Sequence, residues 1–197
     1  MTACKRGGNP GASSPSEPLP ALAWYAAQRL VLTPTARVRA ADTLVLVRSA
    51  GSGRAVGRQM DDAITARLRE LDLGGHWILP DAIQLAYERN RTYASDPYQL
   101  AVEPIRSSAF EAGKKYGEPL SSQLRTMIAL HEDARYVLVP IELRLETGRA
   151  TLRAALLDPR TAEARWVGSI ESDSATTEPA RSLTQIAERL VNLFFAP

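Results

Sequence analysis

The sequence predicts one α+β domain: a mixed sheet with a carboxy-terminal three-strand antiparallel meander, and helices packed on the sheet. Three observations predict it. Strand-like segments follow one another without a helix over residues 135–173, helical periodicity dominates residues 54–132, and an amphipathic helix closes the chain. The 197 residues, 45% of them hydrophobic, are enough to bury one core. We assign residues 28–197 to a single globular domain and residues 1–27 to a lipobox-like start and flexible tether.

The meander is predicted as strands at residues 135–146, 149–158 and 163–173. Its first strand alternates apolar and charged residues, as half-buried antiparallel strands do: Val139, Ile141, Leu143 and Leu145 against Glu142, Arg144 and Glu146. Thr147-Gly148 predicts a tight turn, and Asp158-Pro159 opens the second turn. Trp166 follows the alternation of the third strand, which favours the core or the sheet face.

The amino-terminal half predicts a parallel crossover. A first strand is expected at residues 29–34, with Pro34 near its end or at an edge. Residues 37–47 continue with extended character, and residues 43–48 form either a second strand or a continuation across a bend. After a helix, the apolar residues 77–79 return as a short strand beside the first.

The most regular helix is predicted from residue 54 to residue 73, ended by Gly74-Gly75. Its apolar stripe is Val56, Met60, Ala63, Ile64, Leu68 and Leu71. Its solvent face is assigned to Arg58, Asp61, Asp62, Arg67, Arg69 and Glu70. The residues before it, Gly51-Ser52-Gly53, resemble a phosphate-binding turn. They lack both the Lys-Ser/Thr of a phosphate loop and the dinucleotide fingerprint, so an ordinary connection is favoured.

Four further helices are predicted. One covers residues 80–90, and a second begins at Asp96-Pro97, an N-cap followed by a first-turn proline. Its buried stripe is expected to be Tyr98, Leu100, Ala101 and Ile105. The others cover residues 120–132 and 179–195.

Composition excludes several classes of protein. Lys and Arg number 24 and Asp and Glu 22, so the pI near 8.8 reflects near balance, and no nucleic-acid partner is indicated. No run of 18 apolar residues predicts a transmembrane helix. The single cysteine excludes an internal disulfide and a cysteine-based zinc site.

Cys4 ends the segment Met1-Thr2-Ala3-Cys4, which resembles the lipobox of bacterial lipoproteins with Met in place of the usual Leu. A stretch rich in Gly, Pro and Ser follows to residue 20 and is typical of a flexible tether. We therefore expect lipidation of Cys4, with the charged and apolar parts of the signal upstream of Met1. Without lipidation, Cys4 would be an incidental cysteine of a cytoplasmic protein.

The order of elements over residues 29–195 resembles the TolB amino-terminal domain, the LpoB-type activators of penicillin-binding proteins and the periplasmic core of the CsgG secretion lipoprotein. The matching pieces are residues 29–34, the helix at 60–71 before Gly74, residues 134–139 and the turn-and-strand segment 156–168. Ala162 stands where these families usually have Gly, and residues 80–116 form a longer helical insertion. The resemblance implies a periplasmic or outer-membrane-anchored protein that binds other envelope proteins.

Aromatic residues that fall mostly in the insertion, together with nearby arginines, form a candidate partner surface because Tyr, Trp and Arg are common interface anchors. The candidates are Trp77, Tyr87, Arg89, Arg91, Tyr93, Tyr98, Arg106 and Tyr116. Core packing is the simpler interpretation of the aromatic side chains.

No catalytic, metal or cofactor set emerges from the sequence. His76 and His131 lack the spacing of a zinc-binding helix. The adjacent acids Asp61-Asp62 and Glu132-Asp133 point about 100° apart on a helix, so we interpret each pair as solvated charge.

The sequence favours a non-enzymatic bacterial cell-envelope lipoprotein with a periplasmic protein-binding domain, acting in cell-wall or outer-membrane assembly. One alternative is an oligomeric secretion or assembly component of the CsgG type, although no long apolar hairpin is present. A small ligand-binding protein or enzyme is the other, and a deep pocket with converging polar groups would favour it.

Overall fold

The computed structural model describes residues 22–40, 52–73, 75–131, 134–173 and 179–195. The strands in this part of the chain are β1 Leu30–Leu32, β2 Val38–Ala40, β3 Trp77–Ile78, β4 Tyr136–Glu146, β5 Arg149–Asp158 and β6 Glu163–Glu171. The α-helices are α1 Ala23–Ala26, α2 Gly53–Glu70, α3 Pro80–Arg89, α4 Leu120–Ala129 and α5 Pro179–Phe195. Residues 1–21 and 41–51 lie outside the described residues, and with them the predictions for Cys4, the tether and the strand at 43–48.

The strands form a mixed sheet in the order β3-β1-β4-β5-β6, with β2 also paired to β4. β4, β5 and β6 are antiparallel neighbours, which confirms the meander. β1 is parallel to both β3 and β4, so the chain crosses over through α2 as expected. The α+β fold class is therefore confirmed.

The sheet separates two apolar clusters because its central strands are buried on both faces. Leu30 and Leu32 belong to the cluster that α2 and α5 cover. Val31, which points to the other face, belongs to the cluster that the helical insertion and α4 cover. Trp166 is only 1% exposed in the first cluster, which confirms that it is a core residue.

A proline interrupts the central strand and shapes the edge beside it. The β4–β5 register shifts between Pro140 and Glu142, as expected where a strand residue has no N–H to donate. On the other side of β4, β1 and β2 run along the same edge, but their pairing stops between Leu32 and Val38. The chain between them holds Pro34 and still contacts β4, because Ala36 N donates to Pro140 O at 2.9 Å, whereas Thr35 N donates to α2 instead.

The prediction of a helix that begins at Asp96 is wrong. Asp96 does accept a hydrogen bond from Tyr98 N at 2.9 Å, but only two short 3₁₀ turns form, Pro97–Gln99 and Glu103–Ile105. Leu100 between them is extended, and Ala101 N donates to the Gln123 side chain at 2.9 Å instead of to a helical carbonyl. A tertiary acceptor therefore replaces the helical one.

The other predicted helices form, with small shifts at their ends. α2 ends at Glu70, before the Gly pair, because Asp72 takes the positive φ of 56° and Leu73 N donates to Leu68 O at 2.9 Å. The short helix α1 is not foreseen by the sequence pattern. It is held to α5 by Leu22 N, which donates to Leu193 O at 3.0 Å.

Ala162, in the turn between β5 and β6, has a φ of 53°, the left-handed conformation that favours glycine. We expect Ala162→Gly to raise the free energy of unfolding by about 1 kcal/mol, measured by urea denaturation. Ala66→Gly, on the exposed side of α2, is the control and should lower it by about 1 kcal/mol. Destabilisation by both substitutions would show that Ala162 is not strained.

Candidate functional site: an arginine-lined cleft

A cleft of about 310 Å³ lies between α2 and the chain segment that joins β1 to β2. Its charged and polar lining is Thr35, Arg37, Arg39, Arg54, Arg58, Asp61 and Tyr98. Most of the remaining lining is small or apolar, including Gly53 and Gly57 of α2. The volume is at the lower end of the range for small-molecule sites.

One wall is the amino-terminal half of α2. Arg54, Arg58 and Asp61 are four and three residues apart, so they share one face of the helix. Ser52 caps this helix by accepting a hydrogen bond from Ala55 N at 3.2 Å. The first turn contains no acidic residue, although the partial positive charge of a helix amino terminus favours one. Arg54 adds a full positive charge there instead.

Asp61 is the buried acid of the cleft, and its assignment to the solvent face of α2 is wrong. Its side chain is 4% exposed, and Oδ1 accepts hydrogen bonds from Thr35 N at 2.8 Å and Thr35 Oγ1 at 2.6 Å. The strand interruption turns the Thr35 N–H away from β4, and Asp61 supplies its acceptor. The burial therefore has a structural cause 26 residues away in the chain.

The second oxygen of this carboxyl group, Oδ2, is buried and has no hydrogen-bond partner among the described residues. Burial raises the pKa of Asp61 to about 7, against the opposing effect of the Thr35 hydrogen bonds. The charges of Asp62 and Asp81 raise the pKa further. Near neutral pH the group can therefore either donate a hydrogen bond through a proton or accept one as a carboxylate.

The four arginines differ in their partners. Arg37 pairs with Glu103, and Arg39 Nε lies 2.9 Å from Oε1 of the buried Glu142. The Arg39 contact is an ion pair without hydrogen-bond geometry, since Oε1 has no hydrogen-bond partner. In the part of the chain that the structure describes, neither Arg54 nor Arg58 has a carboxylate within ion-pair distance.

Tyr98 lines the cleft from the first 3₁₀ turn. Burial raises the pKa of its hydroxyl, and the negative charge of Asp61 adds to the rise. The hydroxyl therefore stays protonated and can donate a hydrogen bond.

Two residues of the candidate partner surface are buried, and the prediction that they belong to a surface is corrected. Trp77 is 5% exposed and meets Phe194 edge-on with ring centroids 5.1 Å apart. Tyr116 is also 5% exposed, in the cluster on the other face of the sheet, where burial raises the pKa of its hydroxyl. Both serve the core, the simpler interpretation at these positions.

The other candidates fall into three places. Tyr87, Arg89, Arg91 and Tyr93 lie on α3 and the turn after it, with Tyr93 64% exposed. The Arg91 guanidinium lies 6.0 Å from the centroid of the Tyr87 ring. Tyr98 belongs to the cleft instead. Arg106 is half-buried and pairs with Glu103 at 2.5 Å.

Sequence reasoning missed the cleft because three distant segments build it. One signal was available: an arginine in the first turn of a helix without an acidic neighbour there opposes the helix dipole. Asp61 gave no such signal, since an acid beside another acid on a helix is usually solvated. Among the described residues, no three His, Cys, Asp or Glu side chains gather as a metal site would need. None of the described helices has the length and apolar content that a membrane crossing needs.

Comparisons with known proteins give only loose structural likeness. No family model and no curated protein matches the chain. The chain is similar to the LpoB C-terminal domain from Salmonella enterica, with a TM-score of 0.40 and 13% identity over 74% of this chain and 82% of that one. It is also similar to LpoB of E. coli, with a TM-score of 0.40 and 13% identity over 86% and 79% of the two chains.

A PelC dodecamer from Paraburkholderia phytofirmans is similar with a TM-score of 0.42 and 11% identity over 90% of this chain and 95% of that one. LpoB belongs to one of the families that the sequence pattern resembles. TM-scores below 0.5 leave these likenesses too loose to carry function, so function is argued from the residues of this chain.

Proposed function

We propose that the chain is a non-enzymatic bacterial cell-envelope lipoprotein whose periplasmic domain binds another envelope protein. The observation that carries the proposal is the exposed surface of α3 and its following turn. We call it the α3 surface and define it as Leu85, Arg89, Arg91 and Tyr93, with the half-buried Tyr87 beneath Arg91. Leu85 is 48% and Tyr93 64% exposed, and large apolar groups at this exposure beside arginines are typical of protein interfaces.

The aromatic anchor of the α3 surface is held in position before any partner arrives. Asn90 Nδ2 donates to Ala86 O at 2.7 Å, and the Tyr93 hydroxyl donates to Asn90 Oδ1. The ring of Tyr93 is thus exposed but oriented. Side chains that are already ordered lose less conformational entropy on binding, which favours affinity.

The proposed location of the protein in the cell is inferred from the sequence. Cys4 and the Gly-, Pro- and Ser-rich stretch after it support an anchor and spacer that present the domain in the periplasm, at the outer membrane. A partner in cell-wall or outer-membrane assembly is then within reach. The address is tested by labelling the full gene product, including any upstream signal, with radioactive palmitate. Label in the natural protein and none in Cys4→Ala is expected; an unlabelled natural protein would overturn the anchor.

The binding surface is tested by crosslinking and pull-down of the natural protein from envelope extracts. Arg91→Ser with Tyr93→Ser should reduce capture of the partner by about tenfold or more. Arg69→Ser with Leu71→Ser, at the far end of α2, is the matched control, because it also removes one arginine and one exposed apolar side chain. Equal capture by all three proteins would rule out the α3 surface.

The cleft favours a second function, the binding of a small ligand. It is the pocket with converging polar groups that this alternative requires. It lies beside α2 and residues 35–39, so the two functions use different residues and are tested separately.

A further inference from the structure

The cleft holds positive charge that the described fold does not neutralise. Arg54 and Arg58 have no ion-pair partner among the described residues, and both lie on the amino-terminal half of α2. The first-turn N–H groups of Gly53 and Arg54 have no helical acceptor. Cations at this end of a helix lower its stability. A cation placed against the helix dipole without a compensating contact is typical of a functional site.

A second, independent observation comes from the other end of the cleft. Asp61 is only 4% exposed and lines the cleft. Its Oδ2 has no hydrogen-bond partner among the described residues. Leaving a buried oxygen unpaired is unfavourable, and a hydrogen-bonding group of a ligand would satisfy it. The Asp61 Cα lies roughly 10 Å along the helix axis from that of Arg54, at 1.5 Å per residue.

We propose that the arginine-lined cleft binds a small phosphate monoester, with the phosphate at Arg54, Arg58 and the amino terminus of α2, and a hydroxyl group of the ligand at Asp61. Helix amino termini with nearby guanidinium groups suit a phosphate, because it offers several acceptor oxygens to donors that arrive from different sides. A carboxylate offers two oxygens and less charge. The cleft volume of about 310 Å³ suits a sugar phosphate rather than a polymer.

The remaining arginines are placed to assist rather than to anchor. Arg37 and Arg39 each have a carboxylate partner outside the cleft, in Glu103 and Glu142. A bound dianion would therefore take most of its charge-assisted hydrogen bonds from α2. This makes the α2 pair the sharpest site for substitution.

The test is titration calorimetry at physiological ionic strength with glucose 6-phosphate, glucose and inorganic phosphate. Glucose 6-phosphate should bind, glucose should not, and inorganic phosphate should bind more weakly. Arg54→Gln with Arg58→Gln should weaken glucose 6-phosphate by at least about tenfold, or 1.4 kcal/mol. Arg69→Gln with Arg89→Gln removes the same charge from the surface and should leave the affinity unchanged.

Two more arms separate the parts of the proposal. Asp61→Ala should weaken glucose 6-phosphate but leave inorganic phosphate unchanged, because only the ester reaches Asp61 and alanine has no hydrogen-bonding group to replace it. Cosedimentation with phosphatidylglycerol vesicles distinguishes a lipid headgroup as the source of phosphate. Binding to vesicles without binding to glucose 6-phosphate would overturn the proposal, and so would equal losses in the two arginine pairs.

Folding is followed in the same samples by thermal denaturation. The double variant Arg54→Gln, Arg58→Gln should have a melting temperature equal to or above that of the natural protein, because it removes cations from the positive end of a helix. Lost affinity with unchanged or higher thermal stability assigns these residues to binding. Lost affinity that accompanies a lower melting temperature would assign them to folding and contradict the proposal.

Discussion

Asp61→Asn is expected to stabilise the protein above pH 7 and to remove a pH dependence that the natural protein shows between pH 4 and pH 7. Burial raises the pKa of Asp61 from 3.8 to about 7, so the folded state binds a proton in this range and the unfolded state does not. The free energy of unfolding must then fall as the pH rises through this window. Below pH 4 both states are protonated and the effect vanishes.

The expected size follows from the shift. A difference of about 3 pKa units corresponds to about 4 kcal/mol of stability lost between pH 4 and pH 8. Asparagine keeps an oxygen for Thr35 N and Thr35 Oγ1 and resembles the protonated acid. We expect Asp61→Asn to exceed the natural protein at pH 8 by about 4 kcal/mol and to match it near pH 4.

The measurement is urea denaturation at pH steps from 4 to 8. Asp62→Asn is the matched control, since Asp62 is the exposed neighbour and its removal should change stability by about 0.5 kcal/mol or less. Asp61→Ala loses both Thr35 hydrogen bonds and should fall below Asp61→Asn at every pH. Parallel pH profiles for the natural protein and Asp61→Asn would refute the shifted titration.

The proposed phosphate site gives a reason for keeping the buried Asp61, although its carboxyl group lowers the stability of the fold. Asp61 binds Thr35 through one oxygen and leaves the other buried without a partner among the described residues, and Arg54 at the amino terminus of α2 also opposes local stability. Stabilising substitutions that remove function are common where a site needs an unfavourable group. Arg54→Gln should therefore stabilise the domain and weaken the binding of glucose 6-phosphate.

Structure that depends on residues close together in the chain can be predicted from the sequence. Such local structure makes up the part of the fold that was predicted correctly. β4 combines an apolar run with alternation at its end, over residues 143–146, and reaches β5 through a two-residue turn, so the meander needs no distant information. The same holds for α5, whose apolar stripe repeats within its own length. Ala162 also fits this pattern: the resemblance marked a usual glycine there, and the backbone has a glycine-like φ of 53°.

The errors share one physical cause, a partner that lies far away in the chain. Asp61 is buried because Thr35 needs an acceptor, and the helix after Asp96 breaks because Gln123 takes the Ala101 N–H. Trp77 and Tyr116 look like interface residues by type, but Trp77 is buried in the cluster beneath α2 and α5, and Tyr116 in the cluster on the opposite face of the sheet. Residue type and spacing along the chain do not show which distant residues come into contact. The cleft, assembled from residues 35–39, 53–61 and 98, could not be found from spacing alone.

Gly168→Ala is expected to destabilise the domain by about 2–3 kcal/mol, because Trp166 already occupies the space that a methyl group needs. A Cβ built on Gly168 would lie 2.3 Å from Trp166 Cζ2 and 3.0 Å from Cε2 and Cη2. Such contacts are well below van der Waals separation. The indole is 1% exposed in the cluster beneath α2 and α5, so moving it disturbs the core.

A double-mutant cycle isolates this contact from the general cost of changing a strand glycine. In a Trp166→Leu background the ring is absent, and adding Gly168→Ala should cost about 0.5 kcal/mol or less, a coupling of about 2 kcal/mol. Gly117→Ala is the control in the natural background, since a Cβ there meets nothing within 4 Å. Urea denaturation of the four proteins measures the cycle. If Gly168→Ala costs the same with and without the indole, the backbone of β6 rather than Trp166 requires the glycine.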